Sequence, residues 1–457
     1  MERNKLLVYF AVLLAGLILS FFATKRELSV KDIEILIFLL VFLPTLIKPD
    51  IGLAIIIISM LFSPEVVLGK ISSRTVILRI EDIFLVVVVL ASLIRIALTK
   101  DIGKFFKTRL TLLFFSYIGA CVISIIIALT FNSQINVPKS IFITAKYFEY
   151  FLLFLIVRDN LTSLRQSKIF IGIFLITALF VSMHANIFVQ QKKEAGSTFF
   201  RASSPFQTKE GGEPGTLGGY LIFMIAVTGG LLVFARSLGM RVFLVVLLAL
   251  MFRGLVYTLS RGSYAALFPM LFFLSFFTRK KIILYFTIAF MVLSVLFMPK
   301  IVKERLKETV VQIGASFILE TSPKERLDSW KLVITKRFPK SPIFGHGPGR
   351  YFIDSQLFTV IAETGLLGLI LFSWILIRVF RMAKHSLSLA AEEDGYSRGL
   401  TAGFLAGFVG LLIHSLGANT FIIIRIMEPF WFLAAVVLML PRLNRIPQTE
   451  TLGSNNL

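Results

Sequence analysis

Long blocks of apolar residues without a charged side chain constrain this chain more than any other feature. Five blocks contain no Lys, Arg, Asp or Glu, and they cover residues 6–22, 110–130, 169–189, 217–235 and 282–298. At about 1.5 Å per helical residue, each block crosses or nearly crosses a hydrocarbon layer of roughly 30 Å. The blocks lack the alternation of barrel strands, and a helix satisfies its own backbone in lipid. The sequence therefore predicts an all-α, polytopic integral membrane protein.

The composition supports the same fold class. Charged residues make up 16% of the chain, whereas about 25% is usual for a soluble domain. The formal net charge of +22 is also typical of nucleic-acid binding. Here, however, the basic residues gather at helix ends and in loops, where they set topology and meet anionic lipid or diphosphate groups. We therefore expect membrane lipids, and no nucleic acid, as partners.

The apolar segments predict about fourteen transmembrane helices, within a range of about twelve to fourteen. Two segments, 50–64 and 426–440, are short enough to be tilted or re-entrant. The predicted spans are residues 6–22, 33–47, 50–64, 82–98, 110–130, 141–157, 169–189, 217–235, 240–259, 262–278, 281–298, 357–379, 398–418 and 426–440.

The short loops predict how these helices are oriented. If the N-terminus is cytoplasmic, the cytoplasmic loops contain clusters of Lys and Arg, whereas the opposite loops 131–140 and 419–424 have almost no positive charge. This is the positive-inside asymmetry. It places both termini in the cytoplasm and residues 190–216 and 299–356 on the extracytoplasmic side.

The two ends of the first apolar block indicate a retained first span. The basic start Met1–Lys5 is followed by an apolar run that ends at Phe22 and leads into Ala-Thr-Lys-Arg. This is not a small-residue cleavage site, so we expect no cleavable signal peptide. The single cysteine, Cys121, lies inside an apolar block, which leaves no role for disulfides.

The chain is expected to have three parts: N-terminal membrane helices over 1–200, a second membrane unit over 201–440 that includes the long outer loop 299–356, and a disordered cytoplasmic tail over 441–457. Within the long loop, one face carries apolar residues at near-helical spacing, opposite Lys303, Arg305 and Lys307. This pattern predicts a short interfacial helix on the outer membrane surface. Its apolar residues are Ile301, Val302, Leu306, Val310 and Ile313.

Charged residues beside a membrane span are costly, so each calls for a reason. Arg79, Glu81 and Asp82 stand at the outer edge of the fourth span, where an ion-paired helix start is one explanation. Ser260–Ser263 forms a tight turn between two apolar runs and holds Arg261 at the membrane boundary. The Arg261 guanidinium suits phosphate oxygens, although a snorkelling topology anchor is the alternative.

The long outer loop contains two further motifs. Arg326 and Trp330 are four residues apart and share a helix face. The indole could stack on a sugar or hold the guanidinium, or pack in the core of the loop. The segment Pro342–Arg350 has three glycines, whose backbone amides could face a ligand, but it lacks the P-loop ending and could be a simple turn.

Two carboxylates follow this glycine-rich segment. Asp354 stands just before the next span and could accept a proton from an attacking hydroxyl. Glu363 lies inside the span and is a second candidate, although a structural ion pair is the alternative. Arg425 and Glu428, at the start of the last span, are candidate partners of Glu363.

Other chemistries have little support in the sequence. The four histidines (His184, His346, His385 and His414) are dispersed and show no metal-ligand spacing. No Asp-x-Asp pair is present, and nothing indicates an ATPase or a redox enzyme. We therefore predict neither a metal nor a cofactor.

The order of these motifs resembles the O-antigen ligase/polymerase superfamily. The resemblance rests on Ser260-Arg261-Gly262, Arg326-x-x-x-Trp330, Gly345-x-Gly347-x-Gly349 and Glu363-x-Gly365-x-x-Gly368. Glu213–Tyr220 and Arg425–Trp431 extend it, so that it covers residues 200–440.

The resemblance implies a metal-independent glycosyltransferase of the GT-C kind in the bacterial cytoplasmic (inner) membrane, with an extracytoplasmic active site. The donor is then a polyprenyl-diphosphate-linked glycan, and the acceptor a glycan or lipid A-core. By analogy Arg261 and Arg326 hold the diphosphate, and Trp330, Arg350 and Arg425 are further binding candidates. Asp354 and Glu363 are the catalytic candidates.

One departure bears on the reaction type. Ligases of this family usually carry His-Asn nine residues before the motif glutamate, where this chain has Asp354-Ser355. The difference favours polymerase-like chemistry over ligation. The competing class is a lipid-linked oligosaccharide flippase or other secondary transporter, which suits the number of helices but usually shows two related halves. No such repeat is evident here.

Overall fold

The structure is a computed structural model that describes most of the 457-residue chain. The residues described are 42–45, 48–62, 65–71, 74–99, 109–131, 135–194, 197–202, 205, 214–296, 310–313, 316–319, 321–351 and 353–445. The predicted first span 6–22, most of the span 33–47, the residues Ile301, Val302 and Leu306 and the tail from 446 onward lie outside these ranges. So do the side chains of Arg79, Glu81 and Asp82.

Thirteen helices make up nearly all of the regular structure in the described ranges. They are α1 Pro49–Phe62, α2 Ile80–Thr99, α3 Arg109–Phe131, α4 Val137–Asn160, α5 Leu164–Ile187, α6 Pro214–Phe234, α7 Leu238–Thr258, α8 Arg261–Thr278, α9 Lys281–Leu296, α10 Thr321–Leu332, α11 Gln356–Leu389, α12 Gly395–His414 and α13 Ile424–Leu443. A π-helical turn, Val333–Arg337, and a 3₁₀ turn, Phe338–Lys340, continue α10, and a second 3₁₀ turn, Thr420–Ile422, precedes α13.

Eight of these helices are long and apolar enough to cross a membrane, judged by length and composition: α3, α4, α5, α6, α7, α11, α12 and α13. The prediction of an all-α polytopic membrane protein is confirmed. Large apolar side chains are exposed on the outer helices, for example Leu112 (70% exposed) on α3 and Ile282 (74% exposed) on α9. These are the surfaces that would face lipid.

Three short antiparallel hairpins interrupt the helical pattern: β1 Glu65–Ile71 with β2 Arg74–Arg79, β3 Val189–Glu194 with β4 Ser197–Ala202, and β5 Val310–Ile313 with β6 Ser316–Leu319. The third hairpin corrects only the C-terminal end of the predicted interfacial helix, because Val310 pairs with Leu319 and Ile313 with Ser316. The rest of that predicted helix lies outside the described residues. The sequence reason is local. Two short runs rich in β-branched and aromatic residues are separated by Gly314-Ala315, which is a hairpin pattern.

The centre of the molecule is the contact between α6 and α12. Gly399, Gly403 and Gly407 form a stripe at four-residue spacing on α12. A Cβ on Gly403 would lie 2.6 Å from the carbonyl oxygen of Ala226 on α6. Only residues without side chains permit this approach, which is how transmembrane helices pack closely when lipid removes the hydrophobic drive for association. α13 packs beside this pair with most of its residues buried.

The long helix α11 is broken near its N-terminal end. Gly365 has φ 64° and ψ −161°, which is not a helical conformation. The break divides α11 into a short N-terminal part that begins at Gln356 and a long part that reaches Leu389. Of the two residues that the sequence predicted as catalytic, Glu363 lies in the short part and Asp354 lies two residues before it.

Candidate active site

Asp354 is held just before the start of α11 by the buried residues that flank it. The carbonyl oxygen of Ile353 accepts hydrogen bonds from Asn419 Nδ2 (2.7 Å) and Thr359 Oγ1 (3.0 Å). On the other side, the Gln356 amide N–H donates to the Ser415 carbonyl (3.0 Å). Backbone on both sides of Asp354 is therefore tied to the loop after α12, and this fixes where the carboxylate points.

The Asp354 carboxylate pairs with the Arg326 guanidinium. Arg326 Nε lies 3.4 Å from Asp354 Oδ2, and the two side chains are 34% and 36% exposed. Arg326 projects from α10 toward the C-terminal end of α12, where its Nη1 lies beside Gly417. The structure thus brings together a cation and a carboxylate that are 28 residues apart in sequence, and leaves both accessible to a ligand.

Trp330 anchors α10 to α11. Its indole stacks on the Phe358 ring with 5.1 Å between centroids and 17° between planes. It packs against a small buried cluster formed by Val333, Ile353 and Ala362. Of the three roles that the sequence left open for Trp330, these contacts match packing within the loop. These contacts fix α10 against α11, and so fix the position of Arg326, one turn earlier on α10, relative to Asp354.

The glycine-rich segment fills the break in α11. The N–H groups of His346 and Gly347 donate to the carbonyls of Ala362 (3.0 Å) and Glu363 (2.9 Å). In the opposite direction, the N–H groups of Leu366 and Leu367 donate to the carbonyls of Pro342 (2.9 Å) and Ile343 (3.1 Å). These four bonds satisfy backbone groups that a broken helix leaves open. The glycine backbone is thus bonded to protein at these positions.

Glu363 is part of the same assembly. Its side chain is buried, at 4% exposure, and its Oε1 accepts a hydrogen bond from the Gly349 N–H (2.7 Å). Its carbonyl accepts from Ser124 Oγ of α3 (2.6 Å), and the same hydroxyl accepts from the Gly347 N–H (3.0 Å). These contacts make Glu363 a bridge between α11, the glycine-rich segment and α3.

A cluster of cations surrounds Tyr351, three residues before Asp354. The Arg337 guanidinium lies 3.9 Å from the ring centroid and that of Arg350 lies 5.4 Å from it. One buried guanidinium nitrogen (Nη1) of each arginine has no hydrogen-bond partner among the described residues. Desolvation by burial lowers the pKa of Arg337, and the neighbouring Arg350 charge lowers it further. The cluster is short of negative charge within the described part of the chain.

His346 packs against this cluster through Arg337 and Tyr351. Its Nε2 lies 2.8 Å from the Arg337 carbonyl, and its ring meets Tyr351 edge to face. Burial lowers the pKa of His346, the hydrogen bond with the Arg337 carbonyl opposes that shift, and the charges of Arg350, Lys340 and Arg337 add to the lowering. The imidazole is therefore neutral at pH 7, and it supports the loop rather than adding another charge.

Arg261 begins α8 directly after a capped turn. Ser260 is the N-cap, its Oγ accepting from the Ser263 N–H (3.4 Å), and the two hydroxyls are 2.8 Å apart. The turn approaches the C-terminal end of α12, because a Cβ on Gly262 would lie 3.9 Å from the His414 ring. The Arg261 segment and Arg326 therefore reach the same helix end from different parts of the chain.

His414 and Asn419 are site residues that the sequence reasoning missed. His414 is buried, and its Nδ1 lies 2.8 Å from Thr420 Oγ1. Asn419 accepts from Thr359 Oγ1 through its side-chain oxygen (2.8 Å) and donates to the Ile353 carbonyl. The available signal was four polar residues at and after the end of an apolar helix: His414, Ser415, Asn419 and Thr420.

Arg425 contacts the C-terminal end of α1. It is 4% exposed in the first turn of α13, and its Nη1 donates to the Leu61 carbonyl (2.8 Å) at the C-terminal end of α1. A cation at a helix C-terminus satisfies an open carbonyl and complements the helix dipole. This contact ties α13 to α1.

Two further findings bear on the class of this protein: its groups of potential metal ligands and its match to a known family. Among the described residues, no group of three or more His, Cys, Asp or Glu side chains could hold a metal ion. The fold and site are those of a multi-helix membrane protein with an arginine–aspartate pair at one end of the bundle. Residues 244–373 match the family model described as O-antigen ligase, which confirms the predicted resemblance to the O-antigen ligase/polymerase superfamily. The matched range includes Arg261, Arg326, Asp354 and Glu363 but not Arg425.

The match also indicates a general activity. A bacterial inner-membrane enzyme that transfers glycans, with glycan and lipid-linked substrates, agrees with both the family and the apolar helices. No curated protein matches the chain.

Proposed function

We propose that the chain is a membrane glycosyltransferase that polymerises or transfers a polyprenyl-diphosphate-linked glycan on the outer face of the cytoplasmic membrane. The observation that carries the proposal is the Arg326–Asp354 pair, about one-third exposed at the end of the helix bundle beside the segment of Arg261. A guanidinium suits a diphosphate, and a carboxylate within reach of it suits proton removal from an incoming hydroxyl. The family match over residues 244–373 supports this assignment.

In the proposed reaction, Arg261 and Arg326 bind the diphosphate of the donor. Asp354 takes the proton of an acceptor hydroxyl while that oxygen forms a bond to the anomeric carbon of the donor sugar. The bond between the anomeric carbon and the phosphate oxygen breaks, and the electron pair leaves with the polyprenyl diphosphate. The two guanidinium groups stabilise the negative charge that develops on the leaving group, which is a task that a metal ion performs in other transferases.

The ion pair gives this scheme an order of events. In the structure, Arg326 is occupied by Asp354 at 3.4 Å. A diphosphate carries more negative charge than one carboxylate and competes for the guanidinium. Binding of the donor would therefore draw Arg326 away and leave Asp354 available as a base, so that the base becomes active only when donor is present.

The remaining predicted residues take supporting roles in the proposal. Glu363 positions the glycine-rich segment through Gly349, Trp330 positions α10, and Arg425 joins α13 to α1. Arg350, with Arg337, has unpaired buried donors within the described part of the chain. We assign these two arginines to an anionic group of a substrate, separate from the contacts of Arg326.

The reaction type is tested by reconstituting the purified chain with an undecaprenyl-diphosphate oligosaccharide, with and without lipid A-core. The aspartate at position 354 favours polymerisation, so we expect a ladder of products without the core acceptor. A single capped product that requires the core acceptor would instead establish a ligase. Donor that crosses the bilayer with no glycosidic bond formed would refute the proposal in favour of a flippase.

The residue roles are tested in the same assay by exchanging single side chains. Asp354→Asn should reduce turnover by at least about a hundredfold, the usual contribution of a general base, while donor binding persists. Arg326→Ala and Arg261→Ala should abolish transfer through loss of donor binding. Asp328→Asn and Lys331→Ala on the exposed face of α10 are matched controls and should leave activity unchanged. Normal turnover in Asp354→Asn would remove Asp354 as the base.

A further inference from the structure

A groove of about 710 Å³ lies between the C-terminal parts of α11 and α13. It is at the opposite end of α11 from Asp354. Leu366–Leu389, the part of α11 after the break, is about 36 Å long at 1.5 Å per residue, which exceeds a hydrocarbon core of roughly 30 Å. The groove residues of α11 therefore reach the headgroup region of the membrane face opposite the proposed active site.

The lining of the groove combines strong positive charge with an apolar floor. Four arginines and one histidine line it, and no Asp or Glu of the described residues does: Arg378, Arg381, His385, Arg442 and Arg445. Arg378 is half-buried and the other three arginines are exposed. Met382, Leu389, Leu438 and Pro441 supply the apolar part. The charged rim and apolar floor lie side by side in one groove.

These two features together define a ligand class. Arginine forks bind phosphate oxygens in pairs, and basic pockets between transmembrane helices suit phospholipid headgroups on the cytoplasmic side. A soluble phosphate would use only the basic rim, whereas a phospholipid also covers the apolar floor with its acyl chains. The helices that form the groove border directly on the bilayer, where such lipids are at high local concentration.

We propose that this groove is a binding site for the headgroup of an anionic phospholipid, held by Arg378, Arg381, Arg442 and Arg445. The bound lipid would join the end of α11 to the end of α13. These helices carry Asp354 and Arg425 at their other ends, so the site would fix the relative position of two helices that border the proposed active site. The proposal does not depend on the chemistry performed there.

The test uses the full-length chain in lipid nanodiscs or detergent with a fluorescent phosphatidylglycerol as probe. Arg381→Gln/Arg442→Gln should weaken probe binding about thirtyfold, since one basic residue near an anionic surface contributes about fivefold. Lys280→Gln/Lys281→Gln is the matched control, because these exposed lysines lie at the same end of the bundle, where the turn after α8 leads into the first residue of α9. The control should change binding less than twofold.

Two further arms decide the nature of the ligand. Phosphatidylcholine vesicles should fail to displace the probe, whereas phosphatidylglycerol vesicles should displace it. Inorganic phosphate should displace it only at concentrations well above those of the lipid. Equal loss in both double variants, or equal displacement by phosphatidylcholine, would overturn the proposal, as would displacement by inorganic phosphate at lipid-like concentrations. If the arginine double variant does not fold, Arg445→Gln alone, at the exposed edge of the groove, should still weaken binding about fivefold.

Discussion

Asp354 and Glu363 are carboxylates nine residues apart, on either side of the first turns of α11. Asp354 is about one-third exposed and pairs with the guanidinium of Arg326 at 3.4 Å. Glu363 is 4% exposed and accepts a backbone N–H from Gly349 at 2.7 Å. Both are carboxylates, one just before α11 and one inside it, yet they differ in whether a ligand can reach them.

The difference shows that the burial of a carboxylate, and the group that it is bonded to, decide whether it can act in the reaction or only support the structure. A carboxylate paired with an accessible arginine can exchange that partner for a phosphate, and is then free to accept a proton. A carboxylate that holds a buried backbone donor cannot leave without exposing that donor to an apolar interior, which costs about 1–3 kcal/mol. The same nine-residue segment thus contains the proposed base and the support of the loop that precedes it.

The largest loss of stability is expected at Gly365, whose backbone conformation forms the break in α11 beside Glu363. Gly365 has φ 64° and ψ −161°, and a Cβ there would lie 2.3 Å from the Ile343 carbonyl oxygen. Gly365→Ala should therefore lower stability by about 3 kcal/mol or more, since the conformation is open almost only to glycine and the clash is with backbone. Thermal unfolding in detergent, followed by size-exclusion chromatography, measures the loss.

Gly119→Ala on α3 is the matched control for this substitution. Nothing lies within 4 Å of the position that its Cβ would occupy, so its unfolding temperature should be equal to or above that of the parent. If Gly365→Ala unfolded at the same temperature as Gly119→Ala, the break in α11 would not be a structural requirement. The distinction between a supporting and a catalytic half of the segment would then lose its basis.

An intermediate effect separates the two carboxylates directly. Glu363→Ala removes the acceptor for the buried Gly349 N–H and should cost about 1–3 kcal/mol. Glu363→Gln keeps a carbonyl oxygen at that position and should retain most stability and most transfer activity. Asp354→Asn should be within about 0.5 kcal/mol of the parent, as expected at a partly exposed site, and yet be inactive. A stable but inactive Glu363→Gln would reverse the two roles.

Much of this arrangement follows from sequence, because it depends on local patterns. The uncharged blocks predicted the helices, the four-residue spacing placed Arg326 and Trp330 on one face of α10, and the motif order predicted the family that residues 244–373 match. Each of these signals lies within a stretch short enough for helical periodicity or residue order to define it.

The missing part consists of contacts to backbone and between distant segments. Glu363 accepts a hydrogen bond from the N–H of Gly349, and Arg425 donates one to the carbonyl of Leu61. Backbone groups are present at every position, so side-chain chemistry does not indicate which one is chosen. The sequence therefore suggested Arg425 as a partner for Glu363, since both are charged residues beside spans. His414 and Asn419 were missed because one is the last residue of α12 and the other lies in the loop that follows, where no periodicity points to them.

The smallest expected effect concerns the histidine of the glycine-rich segment that Glu363 supports. Burial lowers the pKa of His346 below its usual 6.5. Below pH 6.5 an unfolded histidine takes up a proton while the folded one stays neutral. The unfolded state then binds more protons, so the stability decreases as the pH is lowered. His346→Gln removes this titration and keeps an amide that can donate to the Arg337 carbonyl. The unfolding temperature of the parent should therefore decline more than that of His346→Gln when the pH is lowered from 7.5 to 5.5.

The control is His385→Gln, at an exposed site at the other end of α11, whose unfolding temperature should decline as that of the parent does. Parallel curves for the parent and His346→Gln would mean that the loop tolerates a charged imidazole, and that Glu363 holds the loop without help from His346.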